Sequence, residues 1–210
     1  TSADAEKIVA LRPDLVLCFS DLQAAIAAEL ITAGIEVHVF NQRDVAGILA
    51  MIRTLGALAG CAGAADAMAQ GHEARLAALA ATPRAARPRV WFEEWDEPLI
   101  AGIGWVSELI GIAGGEDIFA DRARSAAARD RIVTPDQVLA RAPEVILASW
   151  CGKKVVPARI AARPGWADLP AIRAGRLHEI KAPLILAPGP AALTEGLAAI
   201  HHALWGAASP

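Results

Sequence analysis

Several things this chain lacks narrow the field before any motif is considered. Its three cysteines, Cys18, Cys61 and Cys151, stand far apart and form no CxxC pair. Neither a disulfide framework nor a zinc knuckle is therefore indicated, and Cys18, inside an apolar run, reads as a small buried hydrophobe. There is no excess of positive charge: the net charge of −3 supplies no electrostatic reason to expect nucleic acid. The basic group Arg84, Arg87 and Arg89 reads as a solvated linker. Glu, Asp or Arg interrupts every apolar run short of the roughly 20 residues that cross a bilayer, so no transmembrane helix is expected. The opening "TSADAEKIVAL" lacks the basic-then-apolar pattern of a signal peptide, and a cleaved signal would leave the same picture.

Catalytic signatures are missing as well. No Walker loop, dinucleotide-binding glycine fingerprint or GxSxG elbow occurs. His72-Glu73 lacks the second histidine four residues on that a zinc protease helix needs, and His201 and His202 are neighbours about 100° apart around a helix. No catalytic set and no metal-ligating set is assigned on this reading.

What is present is a globular composition, 55% hydrophobic and 20% charged, over 210 residues, enough for one large domain or two lobes with cores. A repeat organises it. Residues 6–18, "EKIVALRPDLVLC", and residues 136–148, "DQVLARAPEVILA", share an amphipathic helix end, a proline-marked turn and an apolar strand. Each is followed by another helix-to-strand unit, "LQAAIAAELITAG" then "IEVHVF", and "PAIRAGR" then "LHEI". Strands alternating with helices predict an α/β fold with parallel sheets in two similar lobes. Between the copies, "VAGILAMIRTLGALAG" has helical spacing. The Ala-rich residues 61–81 predict a second helix about 30 Å long that Pro83 and Pro88 end. The expected layout is an N-terminal lobe over 1–60, a bridging helix over 61–83 and a second lobe over 88–208. By comparison with the second copy, the first lobe lacks an opening strand and helix.

Ligands of open parallel sheets sit beyond the carboxyl ends of the strands. The residues expected there are Phe19-Ser20-Asp21, Asn41-Gln42, Trp95, Gly104-Trp105, Trp150-Cys151, and the segment after Lys181. All six tryptophans lie at position 91 or later. Trp91, Trp166 and Trp205 read as core, whereas Trp95, Trp105 and Trp150 read as pocket lining, because strand-end loops are ordinarily polar. "WFEEWDE" adds four carboxylates, Glu93, Glu94, Asp96 and Glu97. Glu93 and Glu94 are neighbours on a strand and face opposite ways, so they form no acid/base pair, and these acids read mostly as rim charge and strand-end caps. Cys151 in "SWCGKK" is the best candidate nucleophile, with Lys153 and Lys154 able to favour its thiolate, but no partner base is identified.

At this level of detail the chain resembles a known family. "VALRPDLVLCFSDLQ", "WFEEWDEPLIAGIGWVSELIGIAGGEDIF", "VLARAPEVILASWCGKK" and "RPGWADLPAIRAGRLHEI" resemble the cobalamin-binding branch of the class III periplasmic substrate-binding proteins of ABC importers. The resemblance implies two βα lobes joined by one long helix, with no catalysis. It implies cobalamin or another corrinoid as transported ligand, held between the lobes, and a membrane permease as partner. It also implies a monomer in the periplasm or at the cell envelope. Phe19, Ser20, Asp21, Trp95, Gly104, Trp105, Trp150 and Leu184 would face the ligand; Asn41 and Gln42 could reach corrin amides. Alternatives are a haem or iron–siderophore binder of the same class, or a metal- or Cys-dependent hydrolase using Glu93, Glu94 or Cys151.

Overall fold

The computed structural model describes residues 3–125 and 127–206, and the chain divides into two compact units, Thr1–Gln42 and Arg43–Pro210. Residue 208, the expected end of the second lobe, lies outside the described residues.

In the smaller unit, helix α1 (Ala5–Ala10) is capped by Asp4, whose carboxylate accepts the Lys7 N–H at 3.2 Å. Strand β1 (Val16–Cys18), a short 3-10 turn, helix α2 (Ala24–Thr32) and strand β2 (Val37–Val39) follow. The two strands pair in parallel, Val16 opposite Val37 and Cys18 opposite Val39.

The larger unit opens with helices α3 (Val45–Leu58) and α4 (Ala62–Ala80), which approach so closely that a Cβ on Gly56 would lie 2.1 Å from that of Ala65. Next come β3 (Arg89–Asp96), β4 (Leu99–Ala101), α5 (Gly104–Ile112), β5 (Glu116–Asp117) and α6 (Ala120–Ala123). They are followed by α7 (Pro135–Arg141), β6 (Val145–Ala148), α8 (Pro157–Ala161) and α9 (Pro170–Arg173). The unit ends with β7 (Leu177–Glu179), α10 (Ala182–Ile185) and α11 (Leu197–Trp205). The sheet runs β4-β3-β6-β7 with β5 beside β3, and only β4 is antiparallel to its neighbour.

Both faces of this sheet are covered, as its near-continuous apolar strands require. Alternation along β3 sends Val90 and Phe92 into a core with Val106, Leu109, Val145 and Leu147. Trp91 turns to the other face, where it packs with Phe119, Ile146, Ala148 and Trp166. The repeat is visible in the backbone. Among the described residues, the two non-glycine residues with positive φ, Arg12 (48°) and Ala142 (38°), occupy matching positions in the two copies, each ending a helix just before a proline.

The division into units differs from the expected one. It falls after Gln42, not after residue 60. Helix α3 buries Val45, Ile48, Leu49 and Ile52, and α4 buries Ala65, Ala69 and Leu76, in the same core as Val106 and Leu109 of α5. The expected bridging helix over 61–83 is therefore a packed element of the larger unit.

Candidate functional site

The carboxyl ends of β3 and β6 are where the chain has gathered its charges. Strand β3 carries a register shift between Glu93 and Trp95, which lets neighbouring acids turn to different partners. Glu93 is fully buried and accepts from four donors: Trp91 Nε1 at 3.1 Å, Trp150 Nε1 at 3.0 Å, and Arg163 Nη1 and Nη2 at 2.5 and 2.9 Å. Paired and saturated in this way, a carboxylate can remain charged inside a core. Glu94 forms a two-pronged pair with the buried Arg131 at 2.7 and 2.8 Å and accepts the Ile103 N–H at 3.0 Å; Arg131 also donates to the Ala101 carbonyl. Asp96 is buried and pairs with Lys153, with Arg159 at 3.7 Å.

These acids are not the rim charge expected of them. Glu93, Glu94 and Asp96 fasten later loops to the sheet, and the partners that convert them from rim to interior come from 37 to 70 residues away, beyond the reach of local spacing. Arg131, Arg159 and Arg163 are the functional-site residues that the pattern did not reveal. Lys153, expected to favour the Cys151 thiolate, is engaged with Asp96 instead.

Trp95, at the end of β3, is half-buried, and its indole N–H donates to the Glu97 carbonyl at 3.0 Å. The Lys153 ammonium lies 4.0 Å from the centre of its ring and 5.1 Å from that of Trp150. Trp105 and Trp150 are placed differently from the expected pocket walls. Both are buried, Trp105 donating to the Ile185 carbonyl at 2.8 Å and Trp150 to Glu93, and they sit in cores on opposite faces of the sheet. Indoles with satisfied N–H groups pack well inside, so a strand-end position does not ensure exposure. Gly104 is small for a packing reason: a Cβ there would come within 2.2 Å of the Arg43 carbonyl oxygen. Leu184, in α10, is half-buried, while Cys151 is exposed in the turn after β6 and is a free thiol. At the end of β7, Glu179 pairs with Lys181 at 2.7 Å and accepts from Val155 N–H at 3.4 Å. The Lys181 ammonium, ahead of the other contributors, holds the Glu179 carboxyl below its ordinary range.

In the smaller unit, Phe19 is half exposed after β1, and its N–H donates to Gln23 Oε1 at 2.7 Å. Ser20 is buried and caps the following turn by accepting the Leu22 N–H at 3.1 Å. The Asp21 N–H donates to Asn41 Oδ1 at 3.3 Å, which ties the ends of β1 and β2 together; Gln42 follows, half-buried. The strand-end residues of this unit thus form one group, as those of β3 and β6 do in the other. Among the described residues, no three His, Cys, Asp or Glu side chains converge as a metal-holding group, and no helix is long and apolar enough to cross a membrane.

Residues 1–184 match the sequence profile of the periplasmic binding protein family. The chain belongs to that family. Its resemblance to the class III members is borne out by the α/β fold with open, mainly parallel sheets. A protein named as cobalamin-binding in two strains of Halobacterium salinarum is 34% identical over 126 residues, covering 58% of this chain and 34% of that protein's length. The chain thus spans about a third of those relatives. Among solved structures, the periplasmic haem-binding protein BhuT, in complex with two haems, is 26% identical with a TM-score of 0.76, covering 97% of this chain and 80% of that one. The periplasmic vitamin B12 binding protein BtuF of Vibrio cholerae is 22% identical with a TM-score of 0.71, covering 97% and 78%, and supports the fold.

Proposed function

We propose that this chain is the substrate-binding component of an ABC importer, that it binds cobalamin or a related corrinoid, and that it delivers the ligand to a membrane permease. It works as a monomer in the periplasm or at the cell envelope and catalyses no reaction. The observation that carries this reading is the 34% identity to a cobalamin-binding protein, over a stretch of 126 residues. The chemistry at the strand ends supports it. Trp95 offers a partly exposed indole beside fixed donors. A broad, partly apolar ring fringed with amides suits such surroundings. The acids that a hydrolase would use, Glu93 and Glu94, are occupied by Arg163 and Arg131, which leaves Cys151 alone without a base.

A haem ligand is the second reading, favoured by the 26% identity to BhuT. The higher identity to the cobalamin-binding protein, 34% against 26%, favours a corrinoid over it. Haem iron is ordinarily held by an axial imidazole, thioether, thiolate or phenolate. The sequence contains no tyrosine, its histidines and methionines lie within β2, α3, α4, β7 and α11, with His178 of β7 opposite Leu147 of β6, and Cys151 is a free thiol in the turn after β6. Cobalamin carries an axial base of its own.

Calorimetric titration of the purified protein with cyanocobalamin and with haemin tests both readings. Saturable binding of cyanocobalamin with quenching of tryptophan emission is expected. Haemin binding alone would replace the corrinoid reading with the haem one, and binding of neither would remove the transport proposal.

A further inference from the structure

The carboxylate of Asp96 is shared between two cations. Its side chain is only 3% exposed, yet both Lys153 and Arg159 reach it. One negative charge cannot neutralise two positive ones, so the Lys153–Asp96–Arg159 group itself holds one more cation than anion. Arg159 also stands 6.0 Å above the Trp150 ring. The other nearby acid at a strand end, Glu179, is already paired with Lys181, and Glu97 is exposed on the turn after β3.

Lys153 is the cation of this group that both reaches water and is fixed in place. Its side chain stays 38% exposed, while its ammonium is held by the buried Asp96 and by the indole faces of Trp95 and Trp150. An ammonium on a four-carbon stem normally loses considerable rotamer freedom when it binds a partner. Here that ordering is already in place, so a group approaching the exposed side of Lys153 meets a preset donor. The half-buried Trp95 indole beside it supplies an apolar contact.

Building on the reading of the chain as a binder of large planar ligands, we propose that Lys153 is a specificity-determining residue that receives an oxyanion on the periphery of the ligand while the Trp95 indole meets the ring. Two sources share this chemistry: the phosphodiester of a corrinoid that carries its nucleotide, and the propionate carboxylates of haem. The Asp96 carboxylate orients the ammonium without touching the ligand, so Asp96 is a positioning residue.

The test uses three ligands, cyanocobalamin, dicyanocobinamide (the same type of ring without the nucleotide phosphodiester) and haemin, against the wild-type protein, Lys153→Gln and Lys153→Arg. Lys153→Gln is expected to weaken binding of the oxyanion-bearing ligand by about fivefold while dicyanocobinamide stays within about twofold, the scale of a solvent-exposed ion pair. Lys153→Arg should restore most of the loss. The wild-type preference for the oxyanion-bearing ligand should shrink as salt rises, and the Lys153→Gln preference should not respond. A loss confined to cyanocobalamin identifies the phosphodiester as the source; a loss confined to haemin identifies the carboxylates. Equal losses for all three ligands, or no loss for any, would overturn this role for Lys153 while leaving the transport reading intact. If the wild-type protein binds none of the three, the transport reading fails and this one falls with it. Should Lys153→Gln not fold, the arginine variant and the wild-type salt dependence still decide the matter.

Discussion

Strands β1 and β6 hold the same place in two copies of one sequence pattern, yet their environments differ sharply. Leu17 in β1 is 46% exposed, whereas Leu147, its counterpart in β6, is fully buried. Strand β6 lies between β3 and β7 with a core on each face; β1 pairs with β2 alone among the described residues. The surroundings of β1 repeat the contrast, since Leu11, Leu22 and Ile31 of the same unit are 79%, 80% and 60% exposed. The lesson concerns what an apolar run specifies. It determines that a strand forms and which residues could be buried, but burial itself depends on how many neighbours the topology supplies. A buried Leu contributes about 1.5–3 kcal/mol relative to an exposed one, so two near-identical strands make very different contributions to stability.

The strongest way to probe the comparison is to disturb something only the larger unit has. Arg163→Ala leaves Glu93 buried with two indole donors and no counter-charge. Unfolding in urea, followed by tryptophan emission, should show a loss of about 3–5 kcal/mol, the cost of breaking a buried pair on one side. All six tryptophans lie in the larger unit, so this emission reports on that unit alone. A loss below about 1 kcal/mol would mean that the pair is weakly coupled to the core.

The matched substitutions Leu147→Ala and Leu17→Ala test the comparison directly. The first should cost about 2–5 kcal/mol, in the range for fully buried leucines, and the second less than about 1 kcal/mol. Circular dichroism is the right probe for Leu17→Ala, since the smaller unit contains no tryptophan. Similar losses in both variants would show that β1 is covered in solution by something its own unit does not provide.

Much of this fold could be read from the residues because the relevant signals are local. The helix–Pro–strand repeat and the long Ala-rich helix α4 each depend on neighbours within a few positions, and each was found where the pattern placed it. The antiparallel β4 and the two-residue β5 escaped, being too short to show a period. The site was less legible, and for a physical reason. Whether Glu93 is a rim acid or an internal anchor depends on Arg163, and whether Trp150 lines a pocket or fills a core depends on Glu93. Neither relation has a spacing. Trp95, one residue before the end of β3, is half-buried, paired with Ile100 of β4 and packed against the core that holds Trp91 and Trp150.

The smallest effect expected is a pH dependence that belongs to the larger unit. His201 accepts a contact from Arg84 Nη2 at 3.0 Å, and because arginine can only donate, Nε2 of the imidazole is the acceptor and the neutral ring carries its proton on Nδ1. Burial foremost, then the charges of Arg84 and His202, push His201 below its ordinary value of 6.5, and burial and Arg176 act likewise on His178. A histidine lowered in the folded state gives its stabilising contribution above the unfolded value, and that contribution is lost as pH falls through the folded one. Unfolding followed by tryptophan emission should therefore show the larger unit weakening as pH drops from about 7 toward 5, before most carboxylates titrate. His201→Gln should flatten part of that slope, and Arg84→Ala should shrink it, because removing the guanidinium brings the folded-state imidazole closer to its unfolded value. A slope unchanged in both variants would assign the pH dependence elsewhere, His178 being the next group to replace.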